Sequence, residues 1–225
     1  LGEVADVIID ALADSGDPDG ALVGLTRYLV TRAPISGFLG YLKDDPRAAE
    51  ILAALFGASP SLGEVLIRNP EFFHWLQLSL KRPAPDLIDL RDALQQLLTS
   101  DLSTEARIEA IKRFRRREYL GVAARDLLGV SDLPAATAQL SLLADVVIDS
   151  VLGLLVTDLA NSQSLPRMPG RFAVIAMGKL GGPELNYSSD IDLIYVYEPD
   201  DPGNAAQHDL FHELARRLTK ALGDH

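Results

Sequence analysis

Asp190 and Asp192 stand two residues apart where the apolar run 191–197 begins, a short way after the glycine-rich stretch Met177-Gly-Lys-Leu-Gly-Gly182. Side chains on a strand alternate between its faces, so the spacing predicts both carboxylates on one face, with Ile191 and Leu193 on the other. Two carboxylates held this way are hard oxygen ligands of the kind magnesium takes, with further positions left for water and phosphate. Gly178, Gly181 and Gly182 let backbone approach a phosphate without side-chain obstruction, and Lys179 supplies a point charge at the same rim. Ser189 is a further candidate phosphate contact, although Ser188 and Ser189, just ahead of a strand, suit a turn better. The chemistry that joins these parts is nucleotidyl transfer, in which magnesium offsets charge on the phosphates and aligns the reacting oxygens. A D-x-D pair by itself is common on solvated strands. Three glycines ahead of one that opens an apolar strand are not explained by solvation.

The elements that must carry this site read in two parts. Residues 1–164 form helix after helix, at least six, with starts at Asp45-Pro46, Ser59-Pro60 and Asn69-Pro70, where a capping side chain precedes a proline. Gly57 and Gly129 stand where a left-handed residue would close the helices beginning at Pro46 and near Thr104. Residues 161–171, with two prolines, a glycine and small polar side chains, read as a linker or irregular loop, which puts the domain boundary at 164/165. Beyond it, 172–177 and 191–197 read as strands and 205–222 as a helix: β, turn, β, α. The expected class is α+β, mostly α.

Composition narrows the function. At 225 residues and 48% hydrophobic, the chain can bury a real core, and its net charge of −11 argues against binding nucleic acid through a basic surface. The greasiest stretch, 140–160, is broken by Asp145, Asp149 and Asp158, so no membrane partner is expected. No leader opens the sequence and it has no cysteine, so a cytoplasmic enzyme without thiol chemistry is expected.

The segment from Val174 to Ile194 resembles the signature of the glutamine synthetase adenylyltransferase family, within the polymerase β-like nucleotidyltransferases: a glycine, eleven residues, then D-x-D, matched by Gly178, Asp190 and Asp192. The stretches Phe-Gly-Ala-Ser-Pro-Ser-Leu-Gly-Glu-Val-Leu-Ile-Arg-Asn-Pro-Glu71 and Arg-Phe-Arg-Arg-Arg-Glu118 resemble the helical region ahead of that site. The resemblance implies a helical domain over 1–164 and the first part of a nucleotidyltransferase domain over 165–225. It also implies catalytic and metal-binding roles for Asp190 and Asp192, with Mg2+ as cofactor. The nucleotide substrates it implies are ATP, or AMP, phosphate and ADP. The partners it implies are glutamine synthetase and a PII-type signalling protein. Family members carry two such units, one adding AMP to a tyrosine of glutamine synthetase and one removing it by phosphorolysis. Asn186-Tyr-Ser-Ser ahead of the first aspartate looks more like the removing unit. The superfamily's third carboxylate sits on a later strand, and none follows here before His225, so a fragment that does not turn over is expected. Two other readings stay open at this point: a non-catalytic interaction module, and a nucleotidyltransferase acting on another substrate.

Other features read as structural. The basic run 112–117 fans around a helix and is expected as a solvated face paired with Glu109 and Glu118. His208 and His212, at i and i+4, read as a surface pair, and Phe72, Phe73, Trp75 and Leu76 as packing.

Overall fold

Proline marks the helix starts. In the computed structural model, which describes residues 2–32 and 34–223, α1 (Gly2–Ala13) is followed by α2 (Pro18–Val30), whose cap Asp17 accepts the Gly20 N–H at 3.0 Å. After α3 (Ile35–Asp44), α4 (Pro46–Ala58) and α5 (Pro60–Arg68) each begin on proline, where a missing N–H costs nothing. The third expected start does not hold. Asn69 turns its side-chain amide back to the Val65 carbonyl at 2.9 Å and ends α5, so α6 (Phe72–Leu80) opens two residues after Pro70. Gly57 is also not a cap, because α4 runs on through it to Ala58. Gly129, with φ +66°, is the left-handed residue expected after the helix that starts at Thr104. The series continues with α7 (Leu87–Gln95), held by a capping box between Asp86 and Asp89, then α8 (Thr104–Leu127) and α9 (Leu133–Ser162). Strand β1 (Gly170–Ala176), the single turn α10 (Gly178–Gly181), β2 (Leu193–Pro199) and α11 (Ala205–Gly223) complete the mostly helical α+β fold. The ends of the chain, Leu1 and His225, lie outside the described residues.

The chain divides into two compact units. One comprises Leu1–Ala84 with Arg116–Ala136. Its core is an aromatic cluster: the Tyr28 ring lies 5.7, 5.9 and 6.1 Å from those of Phe38, Phe56 and Phe73. Phe56 lies so close to Gly24 and Gly63 that a Cβ on either would stand 2.6 or 2.9 Å from its ring. Tyr28, wholly buried, donates its hydroxyl to the Pro70 carbonyl at 3.1 Å, and burial pushes its pKa up to about 12. Phe72, Phe73 and Leu76 are core, as expected, and the Arg117 guanidinium stands 4.7 Å over the Trp75 ring. The expectation of a solvated basic face is only half met. Lys112 and Arg117 do pair with Glu109 and Glu118, yet their side chains are only 12% and 20% exposed.

The other unit comprises Pro85–Arg115 with Thr137–His225. By length and composition α9 is long and apolar enough to cross a membrane, its three aspartates notwithstanding. Within the unit one face of it is core, including Leu140, Leu143, Val151, Leu155 and Leu159. Two of its aspartates bind neighbours: Asp149 meets Arg91 at 3.3 Å, and Asp158 meets Thr104 at 2.6 Å and Arg217 at 3.1 Å. Strands β1 and β2 pair antiparallel, from Gly170 opposite Pro199 to Ala176 opposite Leu193. Phe172, Tyr195 and Tyr197 lie on the face toward α11, where Phe211 is 6.2 Å from Phe172 and 4.9 Å from Tyr197. Ile175, Ile194 and Val196 alternate onto the other face and stay exposed.

Candidate functional site

The hairpin ladder ends where the glycine turn begins. Past the Ala176–Leu193 pair, one further hydrogen bond runs from Met177 N–H to the Asp192 carbonyl at 2.9 Å. Gly178, at φ +57°, then swings the chain out of the sheet into α10. With β1 ended at Ala176, the paired strand β2 starts only at Leu193, so Asp190 and Asp192 lie just ahead of the strand rather than within it. The expected alternation fails with it: Ile191 is 41% exposed instead of covered. Glycine turn and carboxylate nevertheless meet. A Cβ built on Gly178 would stand 3.9 Å from Asp192 Oδ2.

The three glycines are not equivalent. Gly178 supplies the positive φ, whereas a Cβ on Gly181 would press to 2.6 Å from the Ala176 carbonyl oxygen. Gly182 meets nothing closer than the Glu184 side chain at 3.5 Å, an ordinary contact. Lys179 is exposed on α10 and forms no ion pair among the described residues. Ser189 donates its hydroxyl to Asn186 Oδ1 at 2.5 Å, and the same oxygen accepts Ser188 N–H at 3.3 Å, so both serines serve a turn centred on the Asn186 side chain. Asn186 is a residue whose local role the spacing rules pass over, although an asparagine two residues before a serine pair is itself a turn signal.

Asp190 and Asp192 are exposed, and neither carboxylate has a hydrogen-bond or ion-pair partner among the described residues. Two unengaged carboxylates are a donor set that fits a hard divalent cation. Among the described residues no three His, Cys, Asp or Glu side chains gather around a common point. Asp200 and Asp201 follow the far end of the seven-residue β2, about 25 Å from Asp192 at strand rise. Asp200 there pairs with Arg167 at 2.9 Å. The two histidines are not a free surface pair. His208 Nε2 faces the Pro202 carbonyl at 3.0 Å and so must donate; its Nδ1, 3.1 Å from Tyr197 Oη, then accepts the phenol proton. His212 Nε2, at 3.0 Å from the same oxygen, completes the chain as donor. Neither cavity of note holds the carboxylate pair: one of about 790 Å³ is lined by Arg32, Tyr41, His74 and Lys81, and one of about 330 Å³ by Asp145, Asp149, Ala173 and Leu193.

These elements define a mostly helical α+β protein with an antiparallel hairpin that brings a glycine turn against a D-x-D pair. The sequence profile of glutamate-ammonia ligase adenylyltransferase matches residues 49–225. The chain belongs to that family. It is 31% identical over 227 aligned positions, covering 97% of its own length, to the bifunctional glutamine synthetase adenylyltransferase/adenylyl-removing enzyme of Neisseria meningitidis serogroup A. Enzymes of the same name from Mycolicibacterium smegmatis and Chromobacterium violaceum are 33% and 32% identical over 86% and 93% of the chain. The chain spans about a quarter of the length of these relatives, between 19% and 24%.

Proposed function

We propose that this chain carries the metal and nucleotide face of an enzyme that moves AMP between nucleotide and a tyrosine of glutamine synthetase, acting within a protein of its relatives' length. The observation that carries the reading is the meeting of Gly178 with the Asp192 carboxylate at the end of the hairpin ladder, beside the equally unengaged Asp190. Position 178 favours glycine for its positive φ of +57°, and the absence of a side chain leaves the turn's backbone open beside the carboxylate. Asp190 and Asp192 would hold Mg2+, which when bound offsets phosphate charge and aligns the reacting oxygens. Gly178, Lys179, Gly181 and Gly182 present backbone and one ammonium to the phosphates, and Asn186 with Ser189 shapes the approach to Asp190. Removal of AMP by phosphorolysis is the favoured direction, on the Asn186-Tyr-Ser-Ser segment. In that direction a phosphate oxygen bonds to the α-phosphorus, the bond to the tyrosyl oxygen breaks, ADP leaves and the phenol takes up a proton. A PII-type protein is the proposed regulator and the cytoplasm the proposed compartment.

The test is replacement of Asp190 or Asp192 by alanine in the full-length enzyme, followed by phosphate-dependent release of the adenylyl label from adenylylated glutamine synthetase as ADP. Activity is expected to vanish while stability stays within about 0.5 kcal/mol, since both side chains are exposed. Retained activity would sink the assignment.

A further inference from the structure

Ser141, in the middle of α9, is 2% exposed, and its hydroxyl has two engagements. It donates to the Thr137 carbonyl one turn earlier at 2.9 Å, which aims the oxygen's lone pairs away from the helix. There it accepts the Leu185 N–H at 3.0 Å, across 44 residues of sequence. Leu185 lies in the loop between α10 and β2, with its side chain buried, five residues ahead of Asp190 and seven ahead of Asp192. At its two ends that loop is tied by Glu184 N–H to the Lys179 carbonyl at 2.9 Å and by Met177 N–H to the Asp192 carbonyl at 2.9 Å. Between them Asn186 Oδ1 accepts from Ser188 N–H and the Ser189 hydroxyl, which shapes the turn ahead of Asp190. The Ser141 hydroxyl thus registers the loop against a helix whose neighbouring Leu140, Leu143 and Ala144 are buried in the core.

We propose that Ser141 is a positioning residue for the Asp190–Asp192 pair: a buried hydroxyl on α9 that acts through Leu185 N–H and sets where the carboxylates stand relative to the glycine turn. The proposal rests on the reading of that pair as a cation site. An internal acceptor for a buried amide is worth far more in place than absent, because a buried N–H without a partner keeps its full desolvation cost. A loop that can escape that cost by opening lets the carboxylate spacing drift, and a cation held by two oxygens in fixed geometry is sensitive to such drift. A serine used merely to fill space would make no such link.

The experiment compares the 225-residue chain with its Ser141→Ala, Ser141→Thr, Ser141→Cys and Asp192→Ala variants. Two readouts are taken, amide hydrogen exchange at Leu185 by NMR and Mn2+ binding by electron paramagnetic resonance. Ser141→Ala is expected to raise exchange at Leu185 about tenfold. It is also expected to weaken Mn2+ binding severalfold, with Ser141→Thr restoring both. Ser141→Cys keeps the volume with a weak acceptor and is read in place of alanine if that variant does not fold. Faster exchange with Mn2+ affinity unchanged overturns the positioning role and leaves the cation site standing. Equal Mn2+ binding by the parent chain and Asp192→Ala overturns the cation site, and the positioning role with it.

Discussion

Gly181 and Gly182 are adjacent, both in the glycine turn, and the geometry predicts opposite outcomes for the same substitution. In Gly181→Ala the new methyl would stand 2.6 Å from the Ala176 carbonyl oxygen and 3.3 Å from its carbon. That oxygen is backbone at the end of β1, so relief requires the strand end or α10 to move by several tenths of an ångström. Forced overpacking of this kind costs about 1–3 kcal/mol. The displacement falls on a turn closed by Gly181 N–H to the Met177 carbonyl at 3.2 Å and Gly182 N–H to the Gly178 carbonyl at 3.1 Å. In Gly182→Ala the methyl meets only the Glu184 side chain, at 3.5 Å, and the residue has φ −93°, which alanine adopts freely. The loss of unfolded-state freedom then makes this variant neutral or more stable by about 0.4–1 kcal/mol. Thermal melts should separate the two, since about 2–4 °C accompanies each kcal/mol for a chain of this size. Gly181→Ala is expected to melt several degrees lower, and Gly182→Ala at or above the parent. If both melt alike, or Gly182→Ala is the more damaged, the steric account of this turn is wrong.

Two further outcomes test the units away from the site. Tyr28 has its pKa raised by burial from 10.0 to about 12, so its neutral form contributes stability that is complete below pH 10 and is lost as pH rises to about 12. A rise of that size corresponds to about 3 kcal/mol. Tyr28→Phe should lose about 1 kcal/mol or less at pH 7, because Arg32 Nη1 still donates to the Pro70 carbonyl at 3.3 Å. Its urea midpoint should then fall less steeply than the parent's between pH 10 and 12, and parallel curves would refute the burial argument. Asp158→Ala strips partners from Thr104 and Arg217 together and is expected to cost about 1–3 kcal/mol in urea unfolding. An unchanged midpoint would mean that the Asp158 links between α8, α9 and α11 carry no stability.

Read alone, the sequence was enough to single out the candidate site, because a glycine turn and a D-x-D pair are local in the chain and the chemistry they suggest follows from residue type. It also contained the β, turn, β, α order, since period and breakers are local, and the prolines at 46 and 60, whose rings admit only the first helical turn. Proline could not settle position 70, where Asn69 had a competing carbonyl within reach. The seat of the carboxylates was a tertiary matter. Gly178 ends the ladder one pair early, so Asp190 and Asp192 precede β2, a result of how two segments register rather than of either alone. The same holds for Phe56 packed on two glycines, for His208 and His212 hydrogen-bonded around Tyr197, and for Ser141 holding Leu185. None of these pairings leaves a periodic trace. Residue types and local spacing decide what chemistry a segment can do, while partners drawn from distant parts of the chain decide where its atoms stand.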